Sequence, residues 1–185
     1  MAEVKVLIEG YVSGEVKGGK EKTRPTITLV KGNGIVMVVD PGVVEAQEMI
    51  IERLREEGLI VSDVNVVCIT HSHLDHYRNI GMFPKAKTLE YWGLWNGNEV
   101  EDWKESFTED IRVMKTPGHS YDGITLFIKT GKGVVAVCGD VFWKKGFPKN
   151  DPYASDKEKL KESRKKVLGM AEWIVPGHGK IFKAK

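Results

Sequence analysis

The five histidines of this 185-residue chain all lie in short segments rich in glycine, proline or aspartate that follow β-rich runs. The densest segment, residues 71–76, spells His-Ser-His-Leu-Asp-His. Side chains alternate along a strand that enters a loop, so His71 and His73 can face the same way. Asp75 and His76 can then aim at a second point nearby. Imidazole nitrogens and carboxylate oxygens are ligands that a divalent ion such as Zn²⁺ binds, and the segment therefore predicts a metal site.

One such segment cannot complete two coordination shells, so further ligands must come from later in the chain. Three segments fit: Thr-Pro-Gly-His at 116–119, Cys-Gly-Asp at 138–140 and Val-Pro-Gly-His-Gly at 175–179. In each of them a glycine allows the backbone to approach an ion closely. We therefore predict a site for two divalent metal ions, zinc in the first place, with iron or manganese as alternatives. Its expected ligands are His71, His73, Asp75, His76, His119, Asp140 and His178.

Asp40 follows an apolar run and precedes Pro41-Gly42. Two interpretations are open for it: a residue that supports the metal site, or an aspartate that forms a turn.

Composition places the chain among ordinary folded proteins, and its length predicts a single domain over residues 1–185. Apolar residues make up 41% and charged residues 29%, and the net charge of +2 is too small to indicate a polyanion partner by itself. No apolar run approaches a membrane span and no signal peptide is recognisable, so we expect no membrane association and a cytoplasmic location. Cys68 and Cys138 are interpreted as small buried hydrophobes, with a disulfide as the alternative. A homodimer is left open.

The elements that must position these residues are short strands with few helices. An amphipathic helix is expected over residues 43–57, closed by Gly58, and a charged helix over 155–170, with Ser155 as its N-cap. Residues 13–22 are expected to form a loop or a hairpin tip. This pattern predicts an α/β domain with sheets packed face to face and helices outside. The expected strands are 4–8, 26–30, 35–39, 64–69, 111–115, 124–129, 134–137 and 173–175.

Taken in order, these motifs cover nearly the whole chain and resemble those of the metallo-β-lactamase superfamily. That resemblance implies an αββα four-layer sandwich with the metal ions at one edge. It implies that His71, His73 and His119 hold one metal ion, and that Asp75, His76 and His178 hold the other. Asp140 would bridge both, and Asp40 would support the site without binding metal.

The departures narrow the choice of relative. Asp140 stands where many true β-lactamases carry cysteine, which disfavours antibiotic hydrolysis. Only residues 141–177 separate Asp140 from His178, which leaves no room for the inserted domain of the β-CASP nucleases. The glutathione-binding helical domain of glyoxalase II is not expected here. Residues 79–84 and the residues that follow Asp140 resemble a subgroup whose human member is regarded as RNA-cleaving.

Aromatic and basic side chains stand close to the predicted ligands in sequence. Trp92, Trp95 and Trp143 are either packing residues or a wall that contacts substrate. Lys144 and Lys145 either contact an anionic substrate or are solvated. The basic helix 157–166 contains interleaved glutamates, which favours a solvated helix over a phosphate-binding strip.

Two metal ions about 3.5–4 Å apart lower the pKa of the water between them and polarise the oxygen under attack, so the site predicts hydrolysis by a metal-bound hydroxide. Asp75 and Asp140 are the candidates that orient the hydroxide and are thus the expected catalytic residues. The first hypothesis is hydrolysis of a small-molecule ester, thioester or lactone. The second is an RNA phosphodiesterase. The third is a non-hydrolytic redox or sulfur-transfer protein, or a binding module.

Overall fold

The computed structural model describes residues 1–13 and 20–184, so most of the expected loop at 13–22 lies outside the described residues. Three α-helices are described: α1 (Glu48–Glu56), α2 (Leu74–Tyr77) and α3 (Lys157–Met170). The described strands, in chain order, are β1 (Glu3–Ile8), β2 (Tyr11–Val12), β3 (Thr23–Arg24), β4 (Ile27–Gly32), β5 (Ile35–Val39), β6 (Val66–Cys68), β7 (Lys87–Leu89), β8 (Leu94–Asn96), β9 (Glu99–Glu101), β10 (Ile111–Lys115), β11 (Ile124–Thr130), β12 (Gly133–Val137), β13 (Trp173–Val175) and β14 (Phe182–Lys183).

Two mixed sheets pack face to face. One has the order β1-β4-β5-β6-β7-β8-β9, the other β10-β11-β12-β13-β14, and β2 pairs with β3 in a short ribbon. The central core joins Val30 and Met37 of the first sheet to Leu126 and Val137 of the second. Burying apolar side chains between two sheets is the main source of stability in such a layer.

Both sheets also bury their outer faces, because a helix covers each of them. Ile50 and Leu54 of α1 pack against the first sheet. Leu160 and Val167 of α3 pack against the second. The strands are therefore apolar on both faces: in β11, Leu126 points into the central core while Phe127 points towards α3. The predicted αββα sandwich is confirmed.

The carboxyl ends of five strands meet at one edge of the sandwich. Strands β5 and β6 run parallel, as do β12 and β13, and β10 has the direction of β12 because both are antiparallel to β11. The backbone N–H of Ile124 donates to the carbonyl of Thr70 (2.8 Å) and joins the two sheets at this edge. The loops after all five strands therefore gather in one place.

The helix ends differ from the prediction in two places. Helix α1 begins at Glu48 rather than at residue 43, and the backbone N–H of Val43 donates instead to the carbonyl of Asp75 (2.7 Å). The N-cap of α3 is Asp156 rather than Ser155, since its carboxylate accepts hydrogen bonds from the first-turn amides. Gly58 follows α1 with φ +72°, as a glycine that closes a helix does.

Cys68 and Cys138 are both free and buried, so the interpretation as small hydrophobes is confirmed and no disulfide joins them. Burial raises the pKa of both thiols. Among the helices of residues 1–13 and 20–184, none is both long and apolar enough to cross a membrane.

Candidate metal centre

The structure gathers all seven predicted ligands at the common strand edge, in two neighbouring groups. Within each group, one nitrogen or oxygen atom of every member lies within 4.8 Å of the others. The first group contains His71, His73, His119 and Asp140, and the second contains Asp75, His76 and His178.

In the first group, ring nitrogens converge without enough hydrogens to satisfy them. Nδ1 of His73 lies 3.0 Å from Nε2 of His71 and 3.0 Å from Nε2 of His119. The Thr70 hydroxyl gives its hydrogen to Asp40 (2.7 Å), so Nδ1 of His71 must donate to that hydroxyl (3.1 Å). Nε2 of a neutral His71 therefore presents a lone pair to the centre of the group.

His119 is oriented in the same manner from the other side. Its Nδ1 lies 2.6 Å from Oδ2 of Asp151, and a carboxylate can only accept, so Nδ1 carries the hydrogen. Nε2 of a neutral His119 thus also offers a lone pair. The lone pairs of His71 and His119 point at the same place and repel each other unless a cation or a proton lies between them. An acceptor behind each ring, such as Asp151 behind His119, is also what typically fixes a metal-binding histidine.

The second group repeats this arrangement. Nδ1 of His76 donates to Oδ2 of Asp40 (2.9 Å), and Nδ1 of His178 donates to the carbonyl of Arg24 (2.9 Å). Their Nε2 atoms face each other at 3.3 Å. The carboxylate of Asp75 lies 3.7 Å from Nε2 of His178 and accepts a hydrogen bond from the Thr23 hydroxyl (2.9 Å).

Asp140 lies between the two groups. Its Oδ2 is 3.3 Å from Nε2 of His119 and 3.2 Å from Nε2 of His178. Its Oδ1 is 3.2 Å from the same nitrogen of His178, yet it has no hydrogen bond of acceptable geometry with any described residue. A Cβ at Gly177 would collide with this oxygen, so glycine is needed for the carboxylate to fit. A buried carboxylate oxygen without a partner is costly unless a cation satisfies it.

The charges at the site favour a bound cation. Burial opposes ionisation of Asp140, but His178 and His76 outweigh it and hold its pKa well below the usual range. Burial also opposes the charge on His76, but the carboxylates of Asp40 and Asp140 raise the pKa of this histidine well above its ordinary value. His71 differs, because burial and its neighbouring imidazoles lower its pKa, which keeps its ring neutral. His71 is thus in the neutral form that binds divalent metal, and the carboxylates that favour a proton on His76 would equally favour a bound cation in its place, so the donor set fits such ions.

Asp40 forms a turn, and its carboxylate also holds one of the proposed ligands. It adopts φ +51°, which is uncommon for a residue with a side chain, at the turn that follows β5. Its carboxylate accepts hydrogen bonds from the backbone N–H of Thr70 (2.8 Å) and from the Thr70 hydroxyl, and it holds His76. The turn thus places a carboxylate behind two of the histidines.

The aromatic candidates separate into two kinds. Trp143 is buried, stacks on Tyr153 with ring centroids 5.7 Å apart, and donates through Nε1 to Asp151 (3.1 Å). The structure thus favours packing for Trp143. Trp92 is 64% exposed on the turn that joins β7 to β8, and Trp95 is 38% exposed in the middle of β8. Residues 90–91 of that turn line a cavity of about 230 Å³ together with His71 and Ser72, so this turn lies next to His71.

Lys144 and Lys145 lie on another side of the site. Both line an open groove of about 710 Å³ that also includes His178. The backbone N–H of His178 donates to the carbonyl of Trp143 (2.6 Å), which ties the loop that carries the lysines to the loop that carries the histidine.

Sequence reasoning missed the outer partners of the histidines. Asp151 lies 32 positions after His119 in a Lys-Asn-Asp-Pro stretch that resembles a simple turn. Thr23 and the carbonyl of Arg24 come from a two-residue strand, and Asp122 fixes the backbone N–H of Ser72 (3.1 Å). A buried carboxylate behind a histidine has no fixed spacing along the chain, so no sequence signal marks it.

The comparisons with known proteins agree with this geometry. The family model of the metallo-beta-lactamase superfamily matches residues 23–99. Metallo-beta-lactamase domain-containing protein 1 of Xenopus laevis is 33% identical, over 97% of this chain and 81% of its own length. The chain therefore belongs to the metallo-β-lactamase superfamily, and it is a metallohydrolase of that class. The subgroup expected from residues 79–84 and from the residues after Asp140 is the one to which this relative belongs, so that resemblance is confirmed.

Solved structures are similar over most of the chain. A Thermotoga maritima protein assigned to the metallo-beta-lactamases has a TM-score of 0.77 at 22% identity, over 98% of this chain and 99% of that one. A dizinc quorum-quenching lactonase, solved with the product N-hexanoyl-L-homoserine, has a TM-score of 0.65 at 16% identity, over 86% of this chain and 73% of that one. At these identities the similarity establishes the fold alone.

Proposed function

We propose that this protein is a dinuclear zinc hydrolase that cleaves an ester, thioester or lactone bond of a small molecule. The observation that carries the proposal is the position of Asp140 between two groups of donors. Its carboxylate lies within 3.3 Å of Nε2 in both His119 and His178, and one of its oxygens lacks a hydrogen-bond partner among the described residues.

The seven donors divide between two metal ions in this proposal. His71, His73 and His119 would hold one metal ion, Asp75, His76 and His178 would hold the other, and Asp140 would contribute to both. Zinc is favoured over iron or manganese because imidazoles dominate both groups, and because the dizinc lactonase shares this fold.

The chemistry at the site is water attack on a carbonyl. What bound divalent ions supply is acidification of water and polarisation of the carbonyl oxygen. Asp75 and Asp140 are the carboxylates that accept a hydrogen bond from the attacking water and orient it. The Thr23 hydroxyl holds Asp75 by donating to Oδ2, so this carboxylate keeps one orientation.

A carbonyl substrate is favoured by the lactonase complex, in which a homoserine product is bound to a protein of the same fold. RNA phosphodiester cleavage is the second candidate, because the groove beside His178 is lined by Lys144 and Lys145. Two aromatic rings of that groove, Tyr11 and Trp173, already have a cation over one face, which disfavours the stacking of bases.

Metal analysis tests the dinuclear model. The protein grown with zinc should contain close to two metal ions per chain, because seven donor residues suffice for two ions when the ions share the carboxylate of Asp140. Saturation at one ion, with Asp75 and His178 left unbound, would contradict it.

A substrate panel tests the reaction. Turnover of a generic ester, thioester or lactone should depend on zinc and change little between low and high salt. Zinc-dependent cleavage of single-stranded RNA that collapses with salt and in Lys144→Ala and Lys145→Ala, without thioester turnover, would favour the second candidate instead.

A further inference from the structure

A groove of about 710 Å³ runs along the protein from the metal centre. Its walls come from residues 9–12, from the loop after Asp140, from β13 and from the segment that begins at His178. His178 is both a proposed metal ligand and a lining residue, so the groove adjoins the site. A ligand in the groove therefore lies next to a residue of the site.

The groove is strongly basic. Lys144, Lys145, Lys180 and Lys183 line it, against the single carboxylate of Glu9. Lys5 and Lys31 pair with Glu57, and Lys159 pairs with Asp156, but within residues 1–13 and 20–184 none of the four groove lysines forms an ion pair. Like charges gathered in one groove repel one another until an anion binds between them.

The lysine loop is fixed relative to the metal centre. A Cβ at Gly179 would lie 2.8 Å from Cβ of Lys144, so the backbone after His178 packs directly against this lysine. Together with the hydrogen bond from the backbone N–H of His178 to the carbonyl of Trp143, this contact sets the distance between the basic side chains and the site. Such a fixed distance suits a substrate that carries its charge at a set position away from the reacting bond.

We propose that this groove binds a phosphate or short oligophosphate group on the non-reacting part of the small-molecule ester substrate. The inference rests on the proposed function, since it names the class of ester that the site accepts. Binding at the four lysines holds the charged end of the substrate while its scissile carbonyl lies at the metal centre. The volume is that of a pocket for one small organic ligand.

A nucleic acid strand fits the groove less well, because two aromatic rings of the groove already contact cationic side chains. The guanidinium of Arg24 lies 4.9 Å from the ring centre of Tyr11, and Nζ of Lys183 lies 5.4 Å from that of Trp173. Each ring thus has one face covered by a cation. Proteins that bind single strands stack successive bases on open aromatic faces.

Binding can be measured separately from turnover. Isothermal titration calorimetry with ribose 5-phosphate, and with ribose as the matched neutral probe, uses the zinc-loaded protein. We expect ribose 5-phosphate to bind and ribose not to bind. The double variant Lys144→Ala/Lys145→Ala should bind ribose 5-phosphate about tenfold more weakly. Lys132→Ala is the control, since Lys132 is exposed in the turn between β11 and β12, at the end of the sheet away from the site.

Turnover provides the second arm. Acetyl thioesters of pantetheine and of pantetheine 4′-phosphate differ only in the phosphate. The phosphorylated thioester should have a KM about tenfold lower, and this difference should vanish in the double variant but not in Lys132→Ala.

Each outcome decides the matter. Equal binding of ribose 5-phosphate in all variants, or no binding, would overturn the groove proposal. Single-stranded RNA that binds at least tenfold more tightly than ribose 5-phosphate, through the same two lysines, would replace it with a strand-binding surface. Phosphate binding that depends on the lysines, without thioester turnover, would support the phosphate-binding groove. It would contradict only the proposed ester hydrolysis.

Discussion

Nδ1 of His119 donates a hydrogen bond of 2.6 Å to Oδ2 of Asp151, and both side chains are buried. Oδ2 also accepts from the indole N–H of Trp143 (3.1 Å), and Oδ1 accepts from the backbone N–H of Tyr153 (2.9 Å). Asp151 is therefore held on several sides and in turn fixes the ring of His119. It acts through the histidine, as a positioning residue behind the proposed ligand.

Asp151→Ala should weaken zinc binding about 10- to 100-fold, because His119 loses the acceptor that fixes its tautomer and orientation. Competition with a chelator of known affinity measures this loss directly. Asp151→Asn is the matched variant, since its amide oxygen can still accept from Nδ1, and it should retain more of the affinity than the alanine variant. Equal zinc affinity in all three proteins would show that Asp151 only packs.

His73→Ala should abolish hydrolysis and leave a folded chain. His73 is an exposed residue among the proposed ligands, so its removal opens no cavity, and the two sheets bury their core without it. The far-ultraviolet circular dichroism of the variant should match that of the wild-type protein, while its zinc content falls. An unfolded His73→Ala chain would mean that metal is structural here, as it is in a zinc finger.

The core strands and the clustering of the histidines could be predicted from the sequence, because both depend on short-range patterns. Strands β5, β6 and β12 are continuous apolar runs, and each leads directly into a loop that carries a candidate ligand or supporting residue. The superfamily resemblance then supplied the layer order that those runs alone leave open. The division of the seven ligands between two metal ions, and the single domain over residues 1–185, stay predictions.

The remaining features depend on tertiary contacts that no local pattern encodes. Strands β7, β8 and β9 have three residues each, with mixed polarity, and they exist because β7 pairs with β6 and the next two pair in turn. The apolar spacing favoured a helix from residue 43, but the backbone of Val43 bonds Asp75 instead. Asp151 reaches His119 only because the loop before α3 folds back over the site.

The N-cap of α3 should make stability depend on pH. Oδ1 of Asp156 accepts from the backbone N–H groups of Glu158 (3.1 Å) and Lys159 (3.0 Å), and the bond from Lys159 chiefly lowers the pKa of this carboxyl. A lowered folded-state pKa means that the stabilisation is complete above the unfolded value of about 3.9 and is lost as pH falls through the folded value.

Asp156→Ala should therefore lower the Tm at neutral pH, with a difference from wild type that narrows below about pH 4. Thermal unfolding followed by circular dichroism between pH 7 and pH 2.5 measures this difference. Asp102→Ala, a change at an exposed aspartate between β9 and β10, should not reproduce it. A Tm difference that stays constant down to pH 2.5 would contradict the assigned cap.

Gly177→Ala should damage the metal centre while leaving the backbone conformation allowed. Gly177 is not among the residues with positive φ, so alanine meets no backbone restriction there. Its Cβ would instead collide with Oδ1 of Asp140 and push the carboxylate away from the two donor groups. Because a misplacement of about 1 Å can cost on the order of 100-fold in rate, we expect a loss of that size in kcat/KM together with reduced zinc content. Overpacking of a buried site should also cost about 1–3 kcal/mol of stability.

Gly169→Ala is the matched control, because its Cβ would meet nothing within 4 Å on the exposed surface of α3. Replacing this helical glycine should stabilise the protein by about 0.5–1 kcal/mol and leave its activity unchanged. If Gly177→Ala retained wild-type zinc content and turnover, the fit of Asp140 against this glycine would have no part in metal binding.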